Sequence, residues 1–350
     1  MLEVKHPINV SLFLGAGASA PFDYAPTRPF VKKLRSKLND DQKGFVDSLL
    51  SIDHVKDVEH VIDILNSILE LDTKLTKYPM KQVLQKYPLS FDFKSAPKTL
   101  MKVVALTADL KDTIEAKLFD EYEPNPPMIE KIVEVYDPFF DLIESHMQTP
   151  QAPEVFTTNF DTVIEDYLSR TRRYDLVDGF RNSEWHPEEF QKKDNLKLLR
   201  LYKLHGSVDW AQKHDGRIMK VPIVKRIENS RIWKKNIVIY PASKEEPREE
   251  PFDTLYTMFR KRIRSKAETC VAIGFSFRDD YINRIIADWL TEVKTAKLVI
   301  VSKSAGKSMG NLLQREKRLK IAEKEKRIIP VRGKFGDRKT IEAIKSHLTS

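Results

Sequence analysis

Cysteine is almost missing from this chain: Cys270 is the single example in 350 residues. One thiol excludes an intramolecular disulfide and any zinc site built on cysteine pairs. Its place inside the apolar run ETCVAIGF marks it as a buried core thiol. The eight histidines show no H-E-x-x-H or comparable pairing, so no structural metal is expected. Long apolar runs are missing too, and none approaches the roughly 18 residues that a membrane span needs. The opening MLEVKHPINV lacks a basic segment followed by an apolar one. These features lead to the expectation of a soluble, cytoplasmic protein without a membrane partner. Two catalytic signatures are lacking as well. Ser19 lies in GAGASA without the following glycine of a hydrolase elbow, and no Walker A sequence occurs.

What is present is enough for a real core. The chain is 41% hydrophobic and long enough for one large domain or two ordinary ones. Its net charge of +9, with clusters at Arg260 to Lys266 and Arg315 to Arg327, favours anionic partners, nucleotide or nucleic acid. Glu316, Glu323 and Glu325 interleave the second cluster and make it read as a solvated helix face. Direct nucleic-acid binding stays an open alternative.

Asn9 to Leu14 is short and nearly continuous in Val, Leu and Phe, the pattern of a buried parallel strand. Gly15, Gly17 and Ala20 follow it in the spacing G-x-G-x-x-G/A, the turn that brings a pyrophosphate to a helix N-terminus. The second strand and terminal acid of the usual dinucleotide fold do not follow. Phe30 to Leu38 reads as helix, and Asp40 and Asp41 end no strand. Apolar residues then recur at three and four, from Ile52 to Leu69, Thr99 to Phe119 and Ile129 to Met147, as on amphipathic helices. Residues 30–150 therefore read as a helical insertion, closed by QTPQAP. Beyond it EVFTTNF, LLRLYKLHG, NIVIYPAS, TCVAIGFSF and KLVIVSKS are strands, the later ones separated by helical patterns, with Asp279 and Asp280 placed to cap DDYINRIIADWL. The fold expected is α/β: a Rossmann-like, mostly parallel sheet with helices on both faces and a large helical insertion. Its domains are 1–29 with 151–350, and 30–150.

Ligands of such sheets bind beyond the carboxyl ends of the strands. Those ends carry Gly15 to Ser19, Thr157 to Asp161, Lys203 to Ser207, Gly274 to Ser276 and Val301 to Ser304. An amide, a carboxylate and an imidazole thus surround a phosphate-type loop. Each has a plainer reading: Asn159 and Asp161 as caps of the helix starting at Thr162, and His205 as a satisfied turn histidine. A metal-dependent nuclease using Asp161, Glu165, Asp166 and Asp209 is a further alternative.

Taken in order, GAGAS (15–19), TTNFD (157–161), HGS (205–207) and GFSF resemble the sirtuin-like, silent-information-regulator-two family. The resemblance covers about 1–29 and 151–335. It implies catalytic roles for Asn159, which would orient water and ribose, His205, a general base acting through a ribose hydroxyl, and Asp161, which would hold the nicotinamide carboxamide. It implies NAD+ contacts from Gly15, Ala16, Gly17, Ser19 and Thr158, with Ser19 and the amides after Gly15 and Gly17 on phosphate. Gly274, Ser276 and Ser302 would line the adenosine side. The four-cysteine zinc module of deacetylating members is not matched, and PFDYAPTRPF stands where they carry G-I-P-D-F-R. The chain looks instead like the prokaryotic branch that hydrolyses NAD+ in antiviral defence. That implies NAD+ as substrate, no zinc, a homo-oligomer and a partner such as a HerA-type hexameric ATPase or another sensor. A catalytically silent NAD+ or ADP-ribose binding module is the alternative within the same resemblance.

Overall fold

The structure is a computed structural model and describes residues 9–22, 34–52, 55, 61–62, 64–69, 96–120, 126–145, 154–192, 197–222, 232–239 and 247–348. Two compact units divide the chain: Met1–Tyr24 with Tyr122–Ile239 and Lys244–Ser350, and Ala25–Glu121 with Tyr240–Ser243.

In chain order the strands of the first unit are β1 (Val10–Leu14), β2 (Glu154–Thr157), β3 (Asp175–Val177), β4 (Phe180–Arg181), β5 (Glu184–Trp185) and β6 (Leu198–Lys203). They continue with β7 (Gly206–Lys213), β8 (Ile218–Lys220), β9 (Trp233–Val238), β10 (Thr269–Ile273), β11 (Lys297–Ser302) and β12 (Ile328–Arg332). Seven of them form a parallel sheet in the order β12-β11-β10-β1-β2-β6-β3. All five residues of β1 and of β10 are buried, which is why both read as continuous apolar runs. The chain leaves β1 toward β2 on one side and returns to β10 on the other, so the order reverses at the β1/β10 boundary, where such sheets bind ligands.

Alternation along β1 supplies both faces. Phe13 enters a core with Phe156, Tyr202 and Phe259, while Leu12 and Leu14 enter another with Tyr136, Phe140 and Tyr167. On the first face Phe13 meets Phe275 at 4.8 Å and Phe156 meets Phe259 at 4.7 Å between ring centres. On the second, Phe140 stacks on Tyr167 at 5.2 Å. Each such fully buried ring contributes about 1.5–3 kcal/mol. The helix Pro126–Glu144 supplies Tyr136 and Phe140 to this second core and lies within the first unit.

β6 runs through a two-residue corner, Leu204 and His205, straight into β7 of a second, antiparallel sheet ordered β4-β5-β8-β7-β9. Gly206 turns the corner with φ +83°, and a Cβ there would lie 2.0 Å from the Ile237 carbonyl oxygen, so no other residue fits. Phe180, Trp185 and Trp210 pack together on this sheet.

The second unit is helical where it is described. The helix Asp40–Leu50 begins at a reciprocal cap: the Gln42 amide donates to the Asn39 side chain (2.9 Å), and the Asn39 amide to that of Gln42 (3.1 Å). Gln42 also donates to Asp109 of the helix Ala96–Asp120 at 2.8 Å. Of the helical stripe from Ile52 to Leu69, Val58 lies outside the described residues, while Val61, Ile62 and Leu65 are buried. Among the described residues no helix is long and apolar enough to cross a membrane.

Candidate active site

The glycines of the first loop answer to backbone crowding. The Gly15 amide donates to the Ile273 carbonyl (2.9 Å), the Gly17 amide to the Gly274 carbonyl (3.0 Å), and the Gly274 amide to the Val301 carbonyl (2.8 Å). A Cβ on Gly17 would lie 2.7 Å from the Gly274 Cα, and one on Gly274, where φ is +66°, would lie 2.3 Å from the Ala18 nitrogen. The loop after β1 and the turn after β10 therefore interlock across the point where strand order reverses. Of the amides after Gly15 and Gly17, that of Ala18 donates to the Gly15 carbonyl at 2.8 Å. Ala16 and Gly17 are exposed at the mouth of the loop.

Ser19, which the resemblance puts on phosphate, is buried and turned inward. Its hydroxyl donates to Asp161 Oδ2 at 2.6 Å and accepts from Asn159 Nδ2 at 2.9 Å. Asn159 Nδ2 also donates to the Gly15 carbonyl at 3.1 Å. Both amide hydrogens of Asn159 are thus committed, and its side-chain oxygen is left with only acceptor capacity. The turn beneath is pinned to β1: the Thr158 amide and the Thr157 hydroxyl each donate to the Leu14 carbonyl at 3.1 Å, and the Asn159 amide donates to Thr157 Oγ1 at 3.0 Å. Asp161 accepts the Val163 amide on Oδ1 at 3.2 Å from one residue ahead of Thr162, which stands at the N-cap of the helix Val163–Thr171 without a side-chain capping bond. Burial raises its pKa, and the nearby Lys203 charge and the Ser19 hydrogen bond offset part of that.

His205 and Asn159 reach the same level on neighbouring strands. Thr157 of β2 pairs in register with Lys203 of β6, and each catalytic candidate stands two residues beyond its member of that pair. The imidazole is 3% exposed. Its Nε2 lies 3.0 Å from Asp279 Oδ2, and among the described residues Nδ1 has no hydrogen-bond partner. Asp279 caps the helix Asp280–Glu292, its Oδ1 accepting the Tyr281 and Ile282 amides at 2.9 Å each. The sequence signal for Asp279 is that of a helix cap alone; its second role comes from the reach of one turn across the sheet edge.

Lys203, 1% exposed, carries no role in the sequence reading beyond its place at a strand end. Its ammonium donates to the Asp161 carbonyl, to Ser207 Oγ at 2.6 Å and to Glu165 Oε1 at 3.0 Å. It therefore ties the TTNFD turn to the HGS corner. Lys220 sits on the far side of the same group, 2.6 Å from Asp178, 3.8 Å from Glu165 and 3.9 Å from Asp209. A lysine is the only charged residue in KLHGS, which is the one sequence hint. Of the carboxylates of the nuclease alternative, Glu165 and Asp209 thus face lysines, Asp161 is held by Ser19 and the Val163 amide, and Asp166 by the Thr162 hydroxyl at 2.8 Å. Among the described residues no group of three or more His, Cys, Asp or Glu side chains could hold a metal ion.

The remaining predicted contacts lie along the same edge. Ser276 is exposed, and its carbonyl accepts from Asn311 at 2.9 Å; Ser302 ends β11 with its hydroxyl 3.5 Å from that of Ser308. Residues 23–30 of the PFDYAPTRPF segment lie outside the described residues. Within the basic clusters, Arg262 pairs with Glu154 (3.3 Å), Arg264 with Glu292 (3.0 Å) and Arg327 with Glu325 (2.8 Å), which neutralises part of the charge locally.

Among curated proteins no match to the chain was found. Among solved structures the chain is similar to a Sir2 homologue in complex with NAD, at 12% identity and TM-score 0.41, over 97% of this chain and 88% of that one. It is similar also to a mutant of Sir2 homologues in complex with 2'-O-acetyl ADP ribose, at 12% identity and TM-score 0.41, over 97% and 93%. The SIR2-like domain profile matches residues 153–329, just over half of the sequence, a span that contains TTNFD, KLHGS and GFSF. The chain belongs to the SIR2-like domain family.

Proposed function

We propose that the protein is an NAD+ glycohydrolase. The observation that carries this reading is the matched pair Asn159 and His205, two residues beyond a registered pair on adjacent strands, beside the Ser19–Asp161 bond. In the reaction the bond between the ribose anomeric carbon and the pyridinium nitrogen breaks, and its electron pair neutralises that nitrogen. Water oxygen bonds to the anomeric carbon and gives up a proton, so the products are nicotinamide, ADP-ribose and H+. The ribose acquires oxocarbenium character, as in glycoside hydrolysis.

The chain's own groups fit these demands. Asn159 directs its carbonyl oxygen at water and ribose, since both its amide hydrogens are engaged. His205, whose Nδ1 has no hydrogen-bond partner among the described residues, takes a proton by way of a ribose hydroxyl; an imidazole suits that task near neutral pH. Asp161 keeps lone pairs beyond those used by Ser19 and Val163 and receives the carboxamide. The exposed Ala16 offers its amide to the pyrophosphate and Gly17, whose own amide is held by Gly274, allows close approach, with Thr158 beside them and Gly274, Ser276 and Ser302 toward adenosine.

One cysteine and the lack of a G-I-P-D-F-R stretch argue against an acyl-lysine substrate. We extend the reading to an effector of antiviral defence that depletes NAD+ when triggered, held inactive until it assembles with copies of itself or with a partner such as a hexameric ATPase. The test is to incubate pure protein, alone and with the products of neighbouring genes, with NAD+, with DNA and Mg2+, and with NAD+ plus an acetyl-lysine peptide. Nicotinamide and ADP-ribose in equal amounts are expected. Loss of DNA with NAD+ intact, peptide deacetylation at the rate of NAD+ loss, or no reaction in any combination overturns the proposal.

A further inference from the structure

The turn from Gly274 to Asp279 holds two residues in the left-handed region, Gly274 at φ +66° and Phe277 at φ +55°. For glycine this is free; for a bulky residue it is strained and persists only where the surroundings fix it. Here they do. The Phe277 ring is fully buried against Phe275 at 4.9 Å, and its carbonyl accepts from Asn283 at 3.1 Å. Asn283 is itself fully buried, and Asn311 holds the Ser276 carbonyl.

The strained turn places Asp279 at two tasks. One carboxylate oxygen closes the first turn of the following helix, and the other meets His205. In the strand order β10-β1-β2-β6, Asp279 follows β10 and His205 follows β6, so the contact spans the ends of the two strands between them. The cap alone needs only one oxygen, and serine or asparagine would supply it. The second oxygen is what a cap does not explain.

We propose that Asp279 is a positioning residue that sets the tautomer and orientation of His205. A carboxylate accepts hydrogen bonds and donates none, so the shared edge of the imidazole carries its proton on Nε2, and Nδ1 is left as the basic nitrogen. The other groups around the pair are Tyr256 of the helix Phe252–Lys266, whose hydroxyl is pushed far up by burial and by the Asp279 charge, and Tyr281, which lies 5.1 Å from Tyr256. The Arg260 guanidinium lies over the Tyr281 ring at 5.7 Å, and Lys203 turns instead to Glu165 and Ser207. The Phe160 ring faces the imidazole at 6.5 Å. The inference rests on the glycohydrolase reading for its catalytic consequence, and on geometry alone for the tautomer.

Asp279→Asn separates the two tasks. Asparagine caps as well as aspartate, so the melting temperature should hold. Its oxygen takes the helix amides, which turns its NH2 toward His205; Nε2 must then accept, and the proton moves to Nδ1. In protein labelled with 15N-histidine, with His205→Asn to assign the signal, the wild type should show protonated Nε2 and Asp279→Asn protonated Nδ1. The kcat for nicotinamide release should fall by about 10²-fold with KM for NAD+ little changed, the loss expected of a misplaced base. Unchanged nitrogen shifts in Asp279→Asn overturn the proposal, as does full kcat alongside inverted shifts. If the wild type hydrolyses no NAD+ at all, the function reading falls, and the nitrogen shifts still decide whether Asp279 sets the tautomer.

Discussion

Ser19 and Asp161, 142 residues apart in sequence, share a buried hydrogen bond of 2.6 Å. That bond, continued to Asn159, makes the first loop and the TTNFD turn one polar unit. Ser19→Ala should leave Asp161 Oδ2 and one hydrogen of Asn159 unpaired in the interior, at a cost of about 1–3 kcal/mol. Urea unfolding measures the loss. Nicotinamide release should fall with it, because Asn159 is then held by the Gly15 carbonyl alone; a variant with wild-type stability and turnover would show that the bond carries nothing.

His205→Ala and Asn159→Ala address the chemistry. Each should lower nicotinamide release by about 10²-fold or more. The fold should survive, which circular dichroism and melting can verify. Either variant, folded and fully active, removes that residue from the mechanism.

Lys203 gives a prediction about assembly of the site from within. Lys203→Met should cost about 1–3 kcal/mol, since it unpairs Ser207 and the Asp161 carbonyl and leaves the largely buried Glu165 with Lys220 alone at 3.8 Å. Adding Glu165→Leu should restore part of that loss. Turnover should stay low in the double variant, because the tie between TTNFD and HGS is gone. Additive stability losses in the double-mutant cycle would refute the coupling.

Asp166 supplies a pH dependence. Burial is the main cause that raises its pKa from 3.8 to about 6, with the Thr162 hydrogen bond opposing. A carboxyl raised in the folded state is stabilising while protonated. Its contribution is complete below pH about 4 and is lost as pH rises through about 6. Asp166→Asn should therefore be more stable than wild type at pH 7, by on the order of 1–2 kcal/mol once solvent screening is allowed for, and equal to it near pH 4. Urea midpoints of both proteins at the two pH values test this; a gain that is the same at both contradicts it.

Control by assembly is tested by dilution. A coupling of about 1–3 kcal/mol between association and the competent state changes activity by about 5- to 150-fold. Mass in solution and NAD+ turnover should change together across a concentration series, with and without the candidate partner. A monomer whose specific activity ignores both would end this part of the proposal.

The parallel sheet was legible because its strands are buried on both faces and so keep continuous apolar runs; TCVAI and VSLFL are examples. The antiparallel sheet was much less so. Its strands β4 and β5 are two residues each, and β9 carries WKKN, where no alternation stands out. The motif residues were readable as strand ends, but their bonds were not. The Ser19 hydroxyl and the Asp279 carboxylate find their partners across the sheet edge, and a local pattern records only the cap or the turn. The glycines of GAGAS and GFSF were read as open backbone for a ligand, and the structure adds that they are needed to let the two loops touch.

The equal overhang of Asn159 and His205 beyond the Thr157–Lys203 pair works as a caliper with two jaws. Chain length can vary at the remote hairpin His214 to Arg217 without moving either jaw, because β7 and β8 are tied to each other there. One residue inserted between Thr157 and Asn159, or between Lys203 and His205, opens the caliper by a strand step of about 3.3 Å and turns the side chain to the other face. Relatives that lengthen one jaw are therefore expected to lengthen the other in step, and an engineered insertion in one is expected to be rescued by a matching insertion in its neighbour.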